Sequence, residues 1–174
     1  YPLDGANSPT VRDRSGSELD GTLSGDVTFT GGQVGDAASF GAGDRIAVAH
    51  DGELTDLTDF TATAWFRSTA DDRADQVVFG IKKGYEIVFD SAGQRVSDDS
   101  VWWAVDNGTG DWVVNPTGAG PLAVGEWHHV ALVQDTAADE VRVYVNGSLV
   151  VTDGGTGPVN GTTGDLGLGV RGDG

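Results

Sequence analysis

Hydrophobic and polar residues alternate along most of the chain. Between Phe60 and Phe66 the even positions share one face, and Trp65 lies on the other. Residues 141–145 repeat the pattern. A period of two is typical of strands with one buried face, whereas no long stretch keeps the 3.6-residue apolar period of a helix. The pattern therefore predicts an all-β protein.

Turn signals separate these strands, and Asn107-Gly108 and Asn146-Gly147 are strong hairpin signals. No linker or change of composition divides the chain. We therefore predict one domain over residues 1–174, a two-sheet antiparallel β-sandwich. The predicted strands cover residues 27–29, 38–40, 45–48, 60–67, 76–81, 85–89, 101–106, 111–114, 126–134, 141–145, 149–151 and 164–170. Residues 1–21 and 54–59 are predicted turns.

The charge balance limits the partners of the chain. There are 27 acidic and 10 basic residues, a formal net charge of −17. This field repels nucleic acid and anionic lipid, and no apolar run is long enough for membrane insertion. Adaptation to high salt and a cation-binding surface both explain the acidity. The even spread of acidic residues favours the halophilic explanation.

Four blocks of sequence occur in an order that resembles a known family. They are residues 1–5 with 13–21, residues 60–66, residues 126–132 and residues 141–147. They resemble laminin-G-like domains, which are concanavalin A-like lectin and glucanase jelly rolls. With the acidity, the resemblance implies an extracellular binding or adhesion module of a larger, haloarchaeal-type surface protein, with a glycan or a protein as its partner. The alternative is a structural subunit or decoration domain of a surface filament or layer.

One feature departs from that family. Such domains usually finish with an Asp-rich strand beside the opening strand, whereas this sequence finishes at Gly172-Asp173-Gly174. We therefore expect the jelly roll to lack its closing C-terminal strand. An unpaired edge favours strand addition, so self-assembly through an open sheet edge is an additional hypothesis.

The carboxylates do not predict an enzyme. Retaining glycosidases of related fold place closely spaced acids on one strand, in a Glu-x-Asp-x-x-Glu pattern. Glu18-Leu19-Asp20 is followed by Gly21-Thr22 in a Gly-rich segment, with no second Glu. His128 and His129 are adjacent and therefore face opposite sides of a strand, so they cannot act together. We expect no catalytic residues.

A calcium site is one interpretation of the Asp13–Asp20 segment. Asp13 and Asp20 supply carboxylate oxygens, and Gly16 bends the backbone. The resemblance implies that such a loop can lie beside a structural Ca²⁺ ion, with Asp4 nearby. A turn in which Asp13 and Asp20 cap backbone amides explains the residues equally well.

Three tryptophans are candidate carbohydrate-binding residues. Trp102, Trp103 and Trp112 fall on two strands joined by the Asn107-Gly108 hairpin, and aromatic rings stack on sugars. Because Trp102 and Trp103 face opposite ways, at least one is expected outside the main core. The alternative is that these rings only fill the core and cover a sheet edge. We assign Trp65 and Trp127 to structure.

Three acceptor patterns for N-glycosylation also occur. They begin at Asn107, Asn146 and Asn160, all at predicted turns. The hairpin turn alone is a sufficient explanation for Asn146.

Overall fold

In the computed structural model, strands form the regular structure of the described residues. The structure describes residues 1–3, 9–50, 52–69, 75–91, 99–106, 112–117, 120–154, 157–159 and 164–170, with the side chains of 112–116 excepted. The strands are β1 (Thr10–Val11), β2 (Gly21–Ser24), β3 (Thr28–Gly31), β4 (Asp36–Ser39), β5 (Arg45–Val48), β6 (Asp59–Phe66), β7 (Gln76–Ile81), β8 (Tyr85–Asp90), β9 (Ser100–Asp106), β10 (Trp112–Pro116), β11 (His128–Asp135), β12 (Glu140–Val145), β13 (Ser148–Asp153) and β14 (Leu166–Leu168). These residues include no helix that is long and apolar enough to cross a membrane.

The strands form two main antiparallel sheets. The large sheet has the order β1-β2-β5-β14-β7-β8-β9-β10, and the small sheet has the order β13-β12-β11-β6. β3 and β4 form a separate hairpin. The predicted β-sandwich is confirmed.

The main core lies between the two sheets because each contributes the apolar half of its alternating strands. Val130 and Leu132 of β11 and Val143 of β12 are fully buried there, facing Ile87 and Trp103 of the large sheet. β6 adds half-buried positions from Phe60 to Phe66. The odd-numbered residues of β6 and β11 therefore point away from the core.

Strands β8 and β9 are buried on both faces. Their second face carries a smaller apolar cluster of Val88, Trp102 and Ala104, with Val77 packed against it. Continuous burial explains why both strands include apolar residues at successive positions, as in Val101 to Val105.

The predicted strands agree with the structure, apart from the N-terminal segment. β1 and the start of β2 lie within or at the end of residues 1–21, for which only turns were predicted. Residues 54–58 are irregular, with an isolated bridge between Leu57 and Val159, whereas Asp59 of the predicted turn is the first residue of β6. β1 ends the large sheet, where it pairs with β2 alone among the described residues. The hypothesis of a missing closing strand stays a prediction.

Candidate functional site

The outward face of the small sheet brings together side chains that are distant in sequence. β6 and β11 are in register, with Trp65 opposite His129 and Thr61 opposite Val133. β12 continues the face, because Val133 lies opposite Arg142. We call this surface the outer face, and it is aromatic at one end and ionic at the other.

The aromatic end contains one cross-strand ring pair and one contact between the residues that flank the two strands. The ring of Trp65 meets the imidazole of His129 edge-on, with ring centroids 5.2 Å apart. The Arg67 guanidinium lies 5.0 Å from the centre of the Trp127 ring, a distance typical of a cation–π contact. Trp65 is 45% exposed, a large fraction for an indole. We call these four residues the aromatic platform.

The ionic end is a shallow depression at the other end of β6. Its lining residues are Asp59, Phe60, Thr61, Val133, Gln134, Asp135 and Arg142. Arg142 Nη2 donates to Asp135 Oδ2 at 3.2 Å, and Arg142 Nε lies 3.6 Å from Glu140 Oε2. Asp59 Oδ1 accepts from the Thr136 amide at 2.8 Å. These bonds fix charged groups in place at the surface.

Small side chains lie between the two ends of the outer face along β6 and β11. Thr63 lies opposite Ala131, and Ala131 lies opposite Tyr144 of β12. Leu149 of β13, paired with Tyr144, is 53% exposed. The outer face therefore continues along β6 and β11 from the aromatic platform to the depression.

The tryptophans predicted to bind carbohydrate lie elsewhere. Trp103 is fully buried in the main core, and Trp102, 2% exposed, packs on the other face of the large sheet. This confirms that one of the two lies outside the main core. Neither shows a ring face to solvent, which agrees with the alternative that these rings fill the core and cover the sheet. The carbohydrate-binding role of the three tryptophans stays a prediction. The side chain of Trp112 lies outside the described residues.

The acidic loop is closed by hydrogen bonds to its own backbone. Asp13 Oδ1 accepts from the Ser15 amide at 2.8 Å, and its Oδ2 accepts from the Ser15 hydroxyl at 2.7 Å and the Leu19 amide at 3.2 Å. Asp20 Oδ1 accepts from the Asp13 amide at 2.8 Å. The bonds from Ser15 are the main reason that the pKa of Asp13 lies below its ordinary value.

Tyr1 is tied to the same loop. Its hydroxyl donates to the Leu19 carbonyl at 2.7 Å. Burial, with the nearby charges of Asp13 and Asp20, raises the pKa of Tyr1 to about 12. The loop has the capping geometry of the turn alternative. The described residues contain no group of three or more His, Asp or Glu side chains that could hold a metal. Asp4 lies outside the described residues, so calcium stays a prediction.

Carboxylates also lie on the second face of the large sheet. Glu86, Asp90 and Asp106 are at most 1% exposed. The sequence did not predict this group of carboxylates, because they are spread over β8 and β9 and only the pairing of these strands brings them to one face. Their burial prevents contact with a substrate in this structure.

The two histidines behave as their adjacency predicted. His128 is 8% exposed, and its Nε2 donates to the Ala123 carbonyl at 3.0 Å. Its Nδ1 therefore accepts from Asn146 Nδ2 at 3.1 Å. Asn146 Oδ1 accepts from the His129 amide at 2.9 Å. Asn146 thus has a structural role in the turn after β12, and His129 is half-buried on the outer face.

Of the three predicted glycosylation sites, the structure places Asn146 at an exposed turn. Asn107 and Asn160 lie outside the described residues.

A family model described as the concanavalin A-like lectin/glucanases superfamily, Laminin_G_3, matches residues 40–174. The chain belongs to this laminin-G-like family. The match covers β5 to β14, and therefore both strands that carry the aromatic platform.

Solved structures share the laminin-G-like fold. Domain 4 of AbnA, an extracellular GH43 arabinanase from Geobacillus stearothermophilus solved with arabinotriose, is 22% identical; the match covers 87% of this chain and 73% of that chain, with a TM-score of 0.66. The binding domain of Paraclostridial mosquitocidal protein 1 is 15% identical (97% and 44% covered, TM-score 0.72). A botulinum neurotoxin type C structure, described by its interaction with two ganglioside molecules, is 12% identical (96% and 43% covered, TM-score 0.62). At these identities the likeness shows the fold alone, and the chain spans less than half of the two toxin chains.

Proposed function

We propose that the chain is a non-catalytic, extracellular module that binds a glycan through the aromatic platform. The exposed indole of Trp65, held edge-on to His129, carries the proposal. Aromatic rings present a flat apolar surface to the apolar face of a sugar. Cross-strand packing fixes the orientation of Trp65 before any ligand arrives, which lowers the entropic cost of binding.

The family and its solved relatives support a binding role. AbnA domain 4 was solved with arabinotriose, and the neurotoxin structure concerns ganglioside binding. A fold does not determine function, so the proposal depends on the residues of the platform.

A non-catalytic role is consistent with the positions of the carboxylates. Glu18 has a positive φ of 58° in a loop, and Asp20 is used to cap Asp13. Glu86, Asp90 and Asp106 are buried. The described residues therefore offer no exposed pair of acids on one strand of the kind that retaining glycosidases use.

A second candidate is the structural subunit of a surface assembly. β6 is eight residues long and, within the described chain, pairs with β11 alone. An uncovered strand of this length favours the addition of another strand. Light scattering over a range of protein concentrations tests it, because edge-driven assembly predicts a mass that rises with concentration.

A glycan array with wild-type protein and Trp65→Ala tests the leading proposal. We expect binding by the wild type and its loss in the variant. Val34→Ala is the matched control, because Val34 is 78% exposed on the separate β3–β4 hairpin. Equal binding by wild type and Trp65→Ala would exclude the platform as the site.

A further inference from the structure

The outer face is longer than one sugar. Trp65 and Thr61 both point outward on β6, four residues apart. At the rise of an antiparallel strand this places them roughly 13 Å apart. A monosaccharide on Trp65 would leave the depression unfilled.

The depression carries both donors and acceptors. The guanidinium of Arg142 is held by Asp135 and Glu140, and its side chain keeps 32% exposure. Thr61 and Asp59 are exposed beside it. Sugar hydroxyls both donate and accept, so they can bond to a guanidinium, a carboxylate and a hydroxyl together.

The charges of the depression select against acidic ligands. Among the described residues, Arg142 is the one cation that lines the depression; it is paired with Asp135 and Glu140, and Asp59 lines the same depression. The whole chain adds a net charge of −17. A carboxylated or sialylated sugar would meet net repulsion here, whereas a neutral sugar would not.

On the basis of the proposed function, we propose that the ligand is a neutral oligosaccharide of at least three sugars that lies along β6. One end stacks on Trp65, and the other forms hydrogen bonds to Arg142, Asp59 and Thr61. The small side chains of Thr63 and Ala131 leave room for the sugars between Trp65 and the depression.

Isothermal titration calorimetry tests this with defined probes. The neutral probes are glucose, arabinose, maltotriose, cellotriose and arabinotriose, and the acidic probes are 3′-sialyllactose and trigalacturonic acid. We expect a neutral trisaccharide to bind about tenfold or more tightly than its monosaccharide, as hydrogen bonds to charged groups imply. Arg142→Gln should reduce the preference for the trisaccharide over the monosaccharide.

Thr61→Lys gives a second variant that fills the depression without removing an ion pair, in case Arg142→Gln does not fold. Equal affinity for monosaccharide and trisaccharide, or tighter binding of the acidic probes, overturns the inference while Trp65-dependent binding upholds the proposed function. If no probe binds, the inference is wrong, and the glycan array with Trp65→Ala decides the proposed function separately.

Discussion

The indole of Trp65 lies edge-on to the imidazole of His129, with ring centroids 5.2 Å apart and ring planes inclined at 61°. The two residues are directly opposite each other on β6 and β11. The pair stabilises the outer face, and it also holds a large aromatic surface in contact with solvent. The sequence indicated only a structural role for Trp65, whereas its 45% exposure leaves part of the ring accessible to a ligand.

The stability cost of replacing a tryptophan should differ between the core, at Trp103, and the outer face, at Trp65. Trp103→Ala removes a fully buried indole and should cost about 3–5 kcal/mol of unfolding free energy. Trp65→Ala loses the ring pair and part of its burial, so we expect about 1–2 kcal/mol. Chemical denaturation of both variants measures the difference. Equal losses of unfolding free energy in the two variants would show that Trp65 contributes to stability as a core residue does.

Acidification should weaken the loop around Asp13. The hydrogen bonds from Ser15, followed by that from Leu19, lower the pKa of the folded carboxyl below its ordinary value of 3.8. The ionised form therefore stabilises the fold at pH values above 3.8, and this contribution is lost as pH falls through the folded pKa.

The difference in stability between wild type and Asp13→Asn reports this contribution, because other carboxylates titrate in both proteins. We expect a constant gap near neutral pH that narrows as pH falls below that ordinary value. Glu53→Gln, at an exposed carboxylate, is the control. A gap that does not change with pH contradicts the assignment.

Calcium should have little effect if capping bonds alone close the loop. Both oxygens of Asp13 already accept hydrogen bonds from Ser15 and Leu19. In that case the Tm is the same in calcium and in chelator, and Asp13→Ala lowers it in both. A rise in Tm with calcium that Asp13→Ala abolishes would establish the calcium alternative.

Asn146 should matter more for folding than for glycosylation. Asn146→Ala leaves the buried Nδ1 of His128 without its donor, which should cost about 1–3 kcal/mol. Ser148→Ala removes the glycosylation pattern but keeps both hydrogen bonds of Asn146, so we expect a change within about 0.5 kcal/mol. Denaturation of the two variants compares these effects, and equal costs would disprove the structural role.

Alternation was sufficient to predict most strands, because the sandwich core selects one face of each. Phe60, Val130 and Val143 face inward as their positions indicate. β1 was missed because its two residues, Thr10–Val11, are too few to show a period.

The candidate site was harder to predict, because it depends on strand register. Trp65 and His129 are 64 positions apart, and only the pairing of β6 with β11 brings them together. Conversely, Trp102 and Trp103 were candidates for ligand binding because aromatic rings stack on sugars and their strand leads into the Asn107-Gly108 hairpin. Sequence does not show that the large sheet is buried on both faces at this point.

The most direct test of the account is the affinity of Trp65→Ala for a glycan that the wild-type protein binds. We predict that the variant keeps its fold, as judged by circular dichroism and Tm, and loses at least about tenfold in affinity, the equivalent of about 1.4 kcal/mol. Unchanged affinity in the folded variant would contradict a binding site at the aromatic platform.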